Sequence, residues 1–337
     1  MVATLTDVAL RAGVSRSAVS RTFTEGASVS AKTRHKVEKA AAELGYAPSV
    51  LASSLTTGRT KLVGLVSNNF RNPIFLEIFD LFTRGLQRQG LRPLLVNLSD
   101  ETDPAHSVRT LKQYSVDAVV VASSTLPPAF ATAYRAAEVP IVHAFGRHTP
   151  APEVSVVGAD NVHCGRLAAR TLLARGYRKI GFLGGPGTAT STQDRLAGFT
   201  AALEGKPDLT VTCSFAHDYS FDAGRAEMQR LMKEPLAEAY FCGDDVLSIG
   251  ALSALQSAGR HVPDEVGILG LNDMEIARWE NIWLTTIKQP IREIVEASIE
   301  LVVAMLHNPG RPPESRLYGC QLVERGTLRP IGSSLEI

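Results

Sequence analysis

The sequence of 337 residues contains only four cysteines, and they stand far apart at Cys164, Cys213, Cys242 and Cys320. They form no CxxC pair and no zinc-ligand spacing, so neither a disulfide scaffold nor a zinc ribbon is expected. Apolar runs of about 18 residues, the minimum for a membrane-spanning helix, are also missing. The segment Met1 to Leu10 lacks the basic and then apolar pattern of a secretory signal peptide. We therefore expect a protein of the reducing cytoplasm.

A charge excess of one sign is missing as well, because 35 Lys and Arg residues face 34 Asp and Glu residues. The charges are nevertheless distributed unevenly. Residues 1–60 carry eight basic and four acidic side chains, whereas the remaining 277 residues carry 27 and 30. A small basic head on a mildly acidic body suggests an anionic polymer as partner of the head. A solvated helical face is the alternative explanation.

Motifs for catalysis and cofactor binding are not found. Gly184-Gly185-Pro186-Gly187 follows a predicted strand, but it fits neither the dinucleotide fingerprint nor the P-loop. No GxSxG elbow occurs, and Asp244-Asp245 has no third carboxylate or histidine nearby that would complete a metal site. We therefore predict no enzyme activity, no cofactor and no metal.

Residues suited to cap a helix precede each of three short helices predicted in the head: Thr4, Ser15 and Ser30. Gly13 lets the chain turn tightly between the first two helices, which is the helix-turn-helix arrangement. In the second helix, Val19 and Phe23 lie one turn apart and are expected to face the inside of the bundle.

The second predicted helix projects a polar and basic set of side chains: Arg16, Ser17, Ser20 and Arg21. An α-helix fits the major groove of B-DNA, and the planar fork of arginine matches two acceptors on guanine. Further candidates for phosphate contacts are Ser15, Ser20, Thr33 and Tyr46. A small helical bundle with exposed arginines would show the same pattern, so the turn alone leaves both interpretations open.

The head resembles the opening signature of the LacI/GalR (lactose-repressor) family of bacterial transcription regulators. The resemblance rests on Thr4-Leu5-Thr6-Asp7-Val8-Ala9, Ala12-Gly13-Val14-Ser15, Val19-Ser20-Arg21, Val29-Ser30-Ala31-Lys32-Thr33-Arg34 and Ala42-Glu43-Leu44-Gly45-Tyr46. It implies that residues 1–47 bind DNA and adds Thr4, Leu5 and Ser30 to the contacts. Ala18, Thr22-Phe23 and Thr24 depart from the family pattern at positions that commonly contact the DNA backbone.

Residues 48–60 are too short to be stable as an isolated helix, because helix nucleation is costly. By resemblance they form a hinge helix on DNA, with contacts from Ser49, Ala52 and Leu55. Leu55 would be the apolar wedge in the minor groove, and such wedges unstack a base step and bend the duplex. A plain flexible linker is the alternative.

From Lys61 onward, nine apolar strand candidates, the last at Val266–Leu271, alternate with eight helical stretches. This alternation predicts parallel sheets with helices on both faces, in two similar α/β subdomains. Ligands of open α/β sheets bind beyond the carboxyl ends of the strands, so we expect a small-molecule cleft between the subdomains.

The body resembles the periplasmic-binding-protein-like core of the same family. The matching segments include Gly158-Ala159-Asp160-Asn161, Asp194-Arg195-Leu196-Ala197-Gly198-Phe199 and Leu284-Thr285-Thr286-Ile287-Lys288-Gln289-Pro290. The resemblance implies an effector-binding core over 61–330 that crosses between subdomains near 161, 289 and 322. The first subdomain then takes about 61–160 and 290–321, and the second about 161–289 and 322–330. The tail 331–337 is too short for a tetramerisation helix, so a homodimer is expected.

Matching motif by motif, the resemblance implies seven effector-binding residues: Phe75, Asp160, Arg195, Tyr219, Asp244, Asn272 and Gln289. Carboxylates, amides and an arginine fork suit the vicinal hydroxyls of a sugar, and the two aromatic rings offer flat faces. Asp160, Asp244 and Asn272 each follow a strand and precede a helix, so they could be helix caps instead.

These features together predict a ligand-responsive DNA-binding transcriptional regulator, a repressor that binds a pseudo-palindromic operator as a dimer. Its effector would be a sugar or a related small molecule. A stand-alone sugar-binding protein of the transport type would fit the body but not the head.

Overall fold

The computed structural model describes residues 3–24, 26–47, 54, 58–99, 103–125, 128–206 and 208–332. Its internal contacts divide the chain into two units, Met1–Thr60 and Lys61–Ile337. Ser49, Ala52 and Leu55 lie outside the described residues, so the hinge helix and its wedge stay predictions.

The first unit contains three helices: α1 (Leu5–Ala12), α2 (Arg16–Thr22) and α3 (Ala31–Leu44). Gly13 ends α1 with a φ of 64°, a left-handed conformation that glycine adopts without a Cβ clash. Small apolar side chains fill the core between the helices: Val8, Ala9, Val19, Val37, Ala40 and Ala41. The expectation that Phe23 faces inward is wrong, because Phe23 follows the last turn of α2 and remains 36% exposed.

The second unit begins with a six-stranded sheet in which all neighbouring strands are parallel. In the spatial order β11-β5-β4-β3-β1-β2, these strands are Ser315–Tyr318, Ser155–Ala159, Ile141–Ala144, Ala118–Ala122, Leu62–Ser67 and Arg92–Asn97. The helices of this sheet are α4 (Ile74–Arg88), α5 (Pro104–Gln113), α6 (Pro128–Ala136) and α11 (Ile291–His307). We call this half the first subdomain.

The second subdomain has its own six-stranded sheet, in the order β12-β10-β9-β8-β6-β7. The strands in that order are Gln321–Val323, Thr286–Lys288, Gly267–Asn272, Ala239–Cys242, Lys179–Gly184 and Thr210–Phe215. Its helices are α7 (Asn161–Leu173), α8 (Thr190–Leu203), α9 (Phe221–Leu231) and α10 (Asp245–Ser257). In the described part of the chain, no helix has the length and hydrophobicity to span a membrane.

The prediction of two α/β subdomains is confirmed, with two differences. The apolar pattern predicts no strand after Val266–Leu271, whereas β10, β11 and β12 follow it with three or four residues each. The prediction of parallel sheets is wrong at one edge, because β12 runs antiparallel to β10. In β10, β11 and β12, polar residues shorten the apolar run, whereas the equally short β8 is a continuous apolar run, Ala239–Cys242.

The chain passes between the subdomains after β5, after β10, and between β11 and β12. A disulfide near two of these passages joins Cys164 of α7 to Cys320, which lies between β11 and β12. The spacing of the cysteines predicts no disulfide scaffold, whereas the structure contains this disulfide bond. Its two cysteines are 156 residues apart in sequence, so only the fold brings them together.

Two helix pairs of the second subdomain approach so closely that glycine is required at their contact. A Cβ atom on Gly165 of α7 would lie 1.9 Å from the backbone oxygen of Arg195 on α8. In the same way, a Cβ on Gly250 of α10 would lie 2.2 Å from the backbone oxygen of Phe221 on α9. Backbone atoms cannot move aside as a flexible side chain can, so these glycines fix the positions of α8 and α10.

We predict that Gly165→Ala lowers the free energy of unfolding by about 1–3 kcal/mol, because the added methyl group overpacks the contact between α7 and α8. Gly85→Ala in α4 is the matched control, since its Cβ would meet only the end of the Ile299 side chain. Urea unfolding of both variants measures the difference. An unchanged stability of Gly165→Ala would contradict the close packing.

Candidate functional site

The head presents the predicted recognition residues on the outside of α2. Arg16, Ser17, Ser20 and Arg21 are all exposed, whereas Val19 on the opposite face is fully buried. Within the described residues, neither arginine of this helix forms an ion pair. Two guanidinium groups on a short exposed helix can therefore reach base edges or phosphates.

Three predicted DNA contacts are also helix caps. The hydroxyl groups of Thr4, Ser15 and Ser30 accept the backbone N–H of the residue three positions later, at 3.3, 3.2 and 3.2 Å. This capping places them at helix N-termini, where the partial positive charge favours phosphate groups. Ser30 also donates to Thr33 Oγ1 at 2.9 Å.

Two further predicted contacts, Leu5 and Tyr46, are half-buried and pack against the head core. The Tyr46 ring lies 5.9 Å from the ring of Phe23. Leu5 and Tyr46 therefore have a packing role in addition to any contact with DNA.

A narrow cleft with a cavity volume of about 50 Å³ lies between the two subdomains. It is lined by residues at or just beyond the carboxyl ends of the strands and by the first turns of the neighbouring helices: Asn69, Asn72, Ile74, Phe75, Ile78, Ser124, Phe145, Ala159, Asn161, Arg195, Tyr219, Asp244, Asn272, Gln289 and Ile291. This is the place where open α/β sheets bind ligands. Six of the seven predicted effector-binding residues lie on its wall.

Arg195 is buried on the wall of this cleft, with only 5% of its surface exposed. Its Nε donates to Asn161 Oδ1 at 2.8 Å, and one terminal nitrogen donates to the backbone oxygen of Gly243 at 2.6 Å. These two bonds hold the guanidinium plane in a fixed orientation. A fixed and desolvated arginine is suited to recognise carbonyl, carboxylate or hydroxyl oxygens.

Asp244 is both a helix cap and a cleft residue. Its Oδ1 accepts the Leu247 N–H at 2.8 Å and so caps α10. Its Oδ2 accepts from Asn72 Nδ2 at 2.6 Å, a hydrogen bond between the two subdomains. Burial raises the pKa of the Asp244 carboxyl to about 6, although these hydrogen bonds and the nearby Arg195 act in the opposite direction.

Three more residues of the wall have side-chain hydrogen bonds. Gln289 Nε2 donates to Asn272 Oδ1 at 2.5 Å, and the Tyr219 hydroxyl lies 2.6 Å from Thr192 Oγ1. Gly185 leaves room for the Tyr219 ring, because a Cβ there would lie 2.4 Å from it. The cleft therefore offers oriented amide and hydroxyl groups next to aromatic and aliphatic surfaces.

Asp160 is the one predicted effector-binding residue that does not line the cleft. Its carboxylate accepts the His163 N–H at 2.7 Å and caps α7. Its neighbours Ala159 and Asn161 lie on the wall instead. For Asp160 the structure thus favours the alternative interpretation, a helix cap.

Several polar or aromatic wall residues were not predicted: Asn69, Asn72, Ser124, Phe145 and Asn161. The first three follow the carboxyl ends of β1 and β3, so their position after a strand was a usable signal. Phe145 directly follows β4 and so carried the same signal, and it turns the chain in a left-handed conformation with a φ of 64°.

Comparison with known proteins agrees with both units. The profile of bacterial regulatory proteins of the lacI family matches residues 4–49, and that of the periplasmic binding protein-like domain matches residues 169–328. The chain is 31% identical to the HTH-type transcriptional repressor PurR of Escherichia coli O139:H28 (strain E24377A / ETEC) over 96% of each chain.

Two solved structures extend the comparison. The lac repressor dimer bound to operator and the anti-inducer ONPF has a TM-score of 0.87 at 26% identity, over 98% of this chain and 100% of that one. The complex of the transcriptional regulator CelR with cellobiose has a TM-score of 0.71 at 28% identity, over 96% of this chain and 99% of that one. Fold and site thus define a ligand-responsive DNA-binding transcriptional regulator. The chain belongs to the lacI family of bacterial regulatory proteins.

We predict that Asp244→Asn reduces the pH dependence of stability. The pKa of Asp244 is about 6 in the folded protein and 3.8 in the reference state, so folding takes up a proton between these values. The free energy of unfolding therefore falls as pH rises from about 4 to about 6. This fall should be smaller in the variant, by a difference on the order of 1–3 kcal/mol.

Urea unfolding at a series of pH values measures this difference. Asp103→Asn is the control, because it replaces an exposed carboxylate that also caps a helix. Identical slopes for Asp244→Asn and the wild type would contradict the buried position of this carboxyl group.

Proposed function

We propose that the protein is a repressor that binds a pseudo-palindromic operator as a homodimer and responds to a small polar effector, a sugar or a related molecule. The observation that carries the proposal is that one chain combines an exposed basic recognition helix with a polar cleft between two subdomains. The relatives support it, since the lac repressor structure contains operator and a dimer, and the CelR structure contains cellobiose.

In this proposal residues 1–47 bind DNA, 48–60 form the hinge, and 61–330 bind the effector. The site residues are those predicted from the sequence, except that Asp160 acts as a helix cap. A protein that regulates transcription shares the compartment of the chromosome, so we place it in the bacterial cytoplasm. It needs no catalytic activity for this role.

The proposed response is a change in subdomain closure that alters the hinge segment and thereby the affinity for DNA. A coupling of about 1–3 kcal/mol between the two sites would change operator affinity about 5- to 150-fold. Buried donors and acceptors on both sides of the cleft support such a change, because an effector that bonds to both subdomains favours one degree of closure over another.

We predict that Arg21→Ala weakens binding to DNA selected from a random library by the wild-type protein. Loss of a bidentate guanine contact would cost about 1–3 kcal/mol. Loss of a phosphate contact would instead lower the slope of log binding constant against log salt concentration by about 1. Lys39→Ala is the control, because it removes the same charge from an exposed position on α3. Unchanged binding by Arg16→Ala and Arg21→Ala at all salt concentrations would argue against α2 as the recognition helix.

We predict that Arg195→Ala lowers effector affinity at least about tenfold, because each lost charge-assisted hydrogen bond contributes about 1.5–3 kcal/mol. Operator affinity without effector should change little. A melting-shift screen of sugars, sugar acids and nucleosides first identifies the effector, since a ligand at 100 times its Kd adds about 2.7 kcal/mol of stability.

Titration calorimetry then compares the wild type with Arg195→Ala. Arg166→Ala, which removes an exposed arginine from α7, is the control and should bind the effector normally. Full effector affinity in Arg195→Ala would exclude Arg195 from the binding site.

A further inference from the structure

A second interaction between the subdomains lies outside the cleft wall. Arg147 belongs to the loop after β4 of the first subdomain, and its guanidinium reaches the first turns of α8 in the second. Nε donates to Asp194 Oδ2 at 2.9 Å, and one terminal nitrogen donates to Asp194 Oδ1 at 2.7 Å. The same nitrogen lies 3.1 Å from both the Thr190 backbone oxygen and Gln193 Oε1.

This geometry differs from that of an ordinary surface ion pair. The contact between guanidinium and carboxylate is bidentate, and the two side chains are only 39% and 23% exposed. Within the described residues, Arg147 has no ion-pair or hydrogen-bond partner in its own subdomain. Its bonds therefore exist only while the subdomains are close together, and they favour closure over opening.

The position of the pair connects it with the effector site. Asp194 precedes Arg195 in α8, and Arg195 lies on the wall of the cleft. Arg147 thus holds the first turns of this helix against the first subdomain without lining the cleft itself. The hydrogen bond from Asn72 to Asp244 joins the subdomains inside the cleft, whereas Arg147 joins them at its rim.

We propose that Arg147 is a positioning residue. Through its pair with Asp194 it sets the fraction of molecules whose cleft is closed before any effector binds. This inference rests on the proposed function in one respect, the use of the cleft as an effector site. A larger closed fraction raises the apparent affinity for ligands that bind the closed form. Because the pair is partly exposed, salt weakens it and thereby favours the open form.

The test uses thiol modification as a measure of opening, in the full-length protein without effector or DNA. An Ala159→Cys substitution places a thiol on the cleft wall at a position that is only 5% exposed in the closed form, and Cys213→Ser removes the exposed native thiol. Cys242 is buried and the other two cysteines are bonded to each other. Because position 159 is buried in the closed form, the rate of maleimide modification there follows the fraction of open molecules.

In the protein with this reporter cysteine, Arg147→Ala should raise the modification rate at least about threefold. This factor corresponds to the contribution of a partly buried bidentate ion pair. Arg147→Lys keeps the charge but loses the bidentate contact, so its rate should lie in between. Arg230→Ala is the control, because it breaks a bidentate pair with Glu227 inside the second subdomain and should leave the rate unchanged. Raising the KCl concentration should speed modification of the wild-type background and not of Arg147→Ala.

The charge-reversed double variant Arg147→Asp with Asp194→Arg should recover a slow rate relative to either single reversal. An Arg147→Ala rate equal to that of the parent, or no recovery in the double variant, would overturn the proposal. Neither result depends on an identified effector or operator. A failure here is therefore distinguishable from a failure of the proposed function, which the DNA and effector measurements test.

Discussion

Closure of the cleft depends on the hydrogen bonding of polar side chains that are removed from water. Arg195, Asp244, Asn272 and Gln289 are all less than 10% exposed, and each has a protein partner in the absence of a ligand. An unpaired buried polar group costs about 1–3 kcal/mol, so these pairs are what permits the subdomains to close on a polar interior. An effector that enters must satisfy the same donors and acceptors.

The packing of the second subdomain holds two of these side chains in place. Arg195 lies on α8, whose backbone touches Gly165 of α7, and Asp244 caps α10, whose Gly250 touches the backbone of α9. Contacts between backbones leave little freedom for either helix to shift alone. The second subdomain is therefore expected to move as one body, and the change between open and closed forms falls on the three chain passages between the subdomains.

Most of the fold could be predicted because its signals were local, whereas the cleft residues were implied by the family resemblance. Capping residues marked the three head helices, and long apolar strands such as β1 and β6 were found with correct limits. The misses involve information that is not local. The short strands β10, β11 and β12 are defined by pairing with strands elsewhere in the sheets, and the disulfide joins segments 156 residues apart in sequence. For Asp160, position after a strand could not distinguish a cap from a ligand contact.

The most direct test of the central claim is selection of DNA from a random library by the full-length protein, followed by sequencing of the bound fraction. Two recognition helices in a homodimer predict enrichment of an inverted repeat, with half-site centres about one helical turn apart or slightly more. Enrichment should be lost when residues 1–60 are removed. A bound fraction with no enriched sequence, or the same enrichment by residues 61–337 alone, would contradict the account.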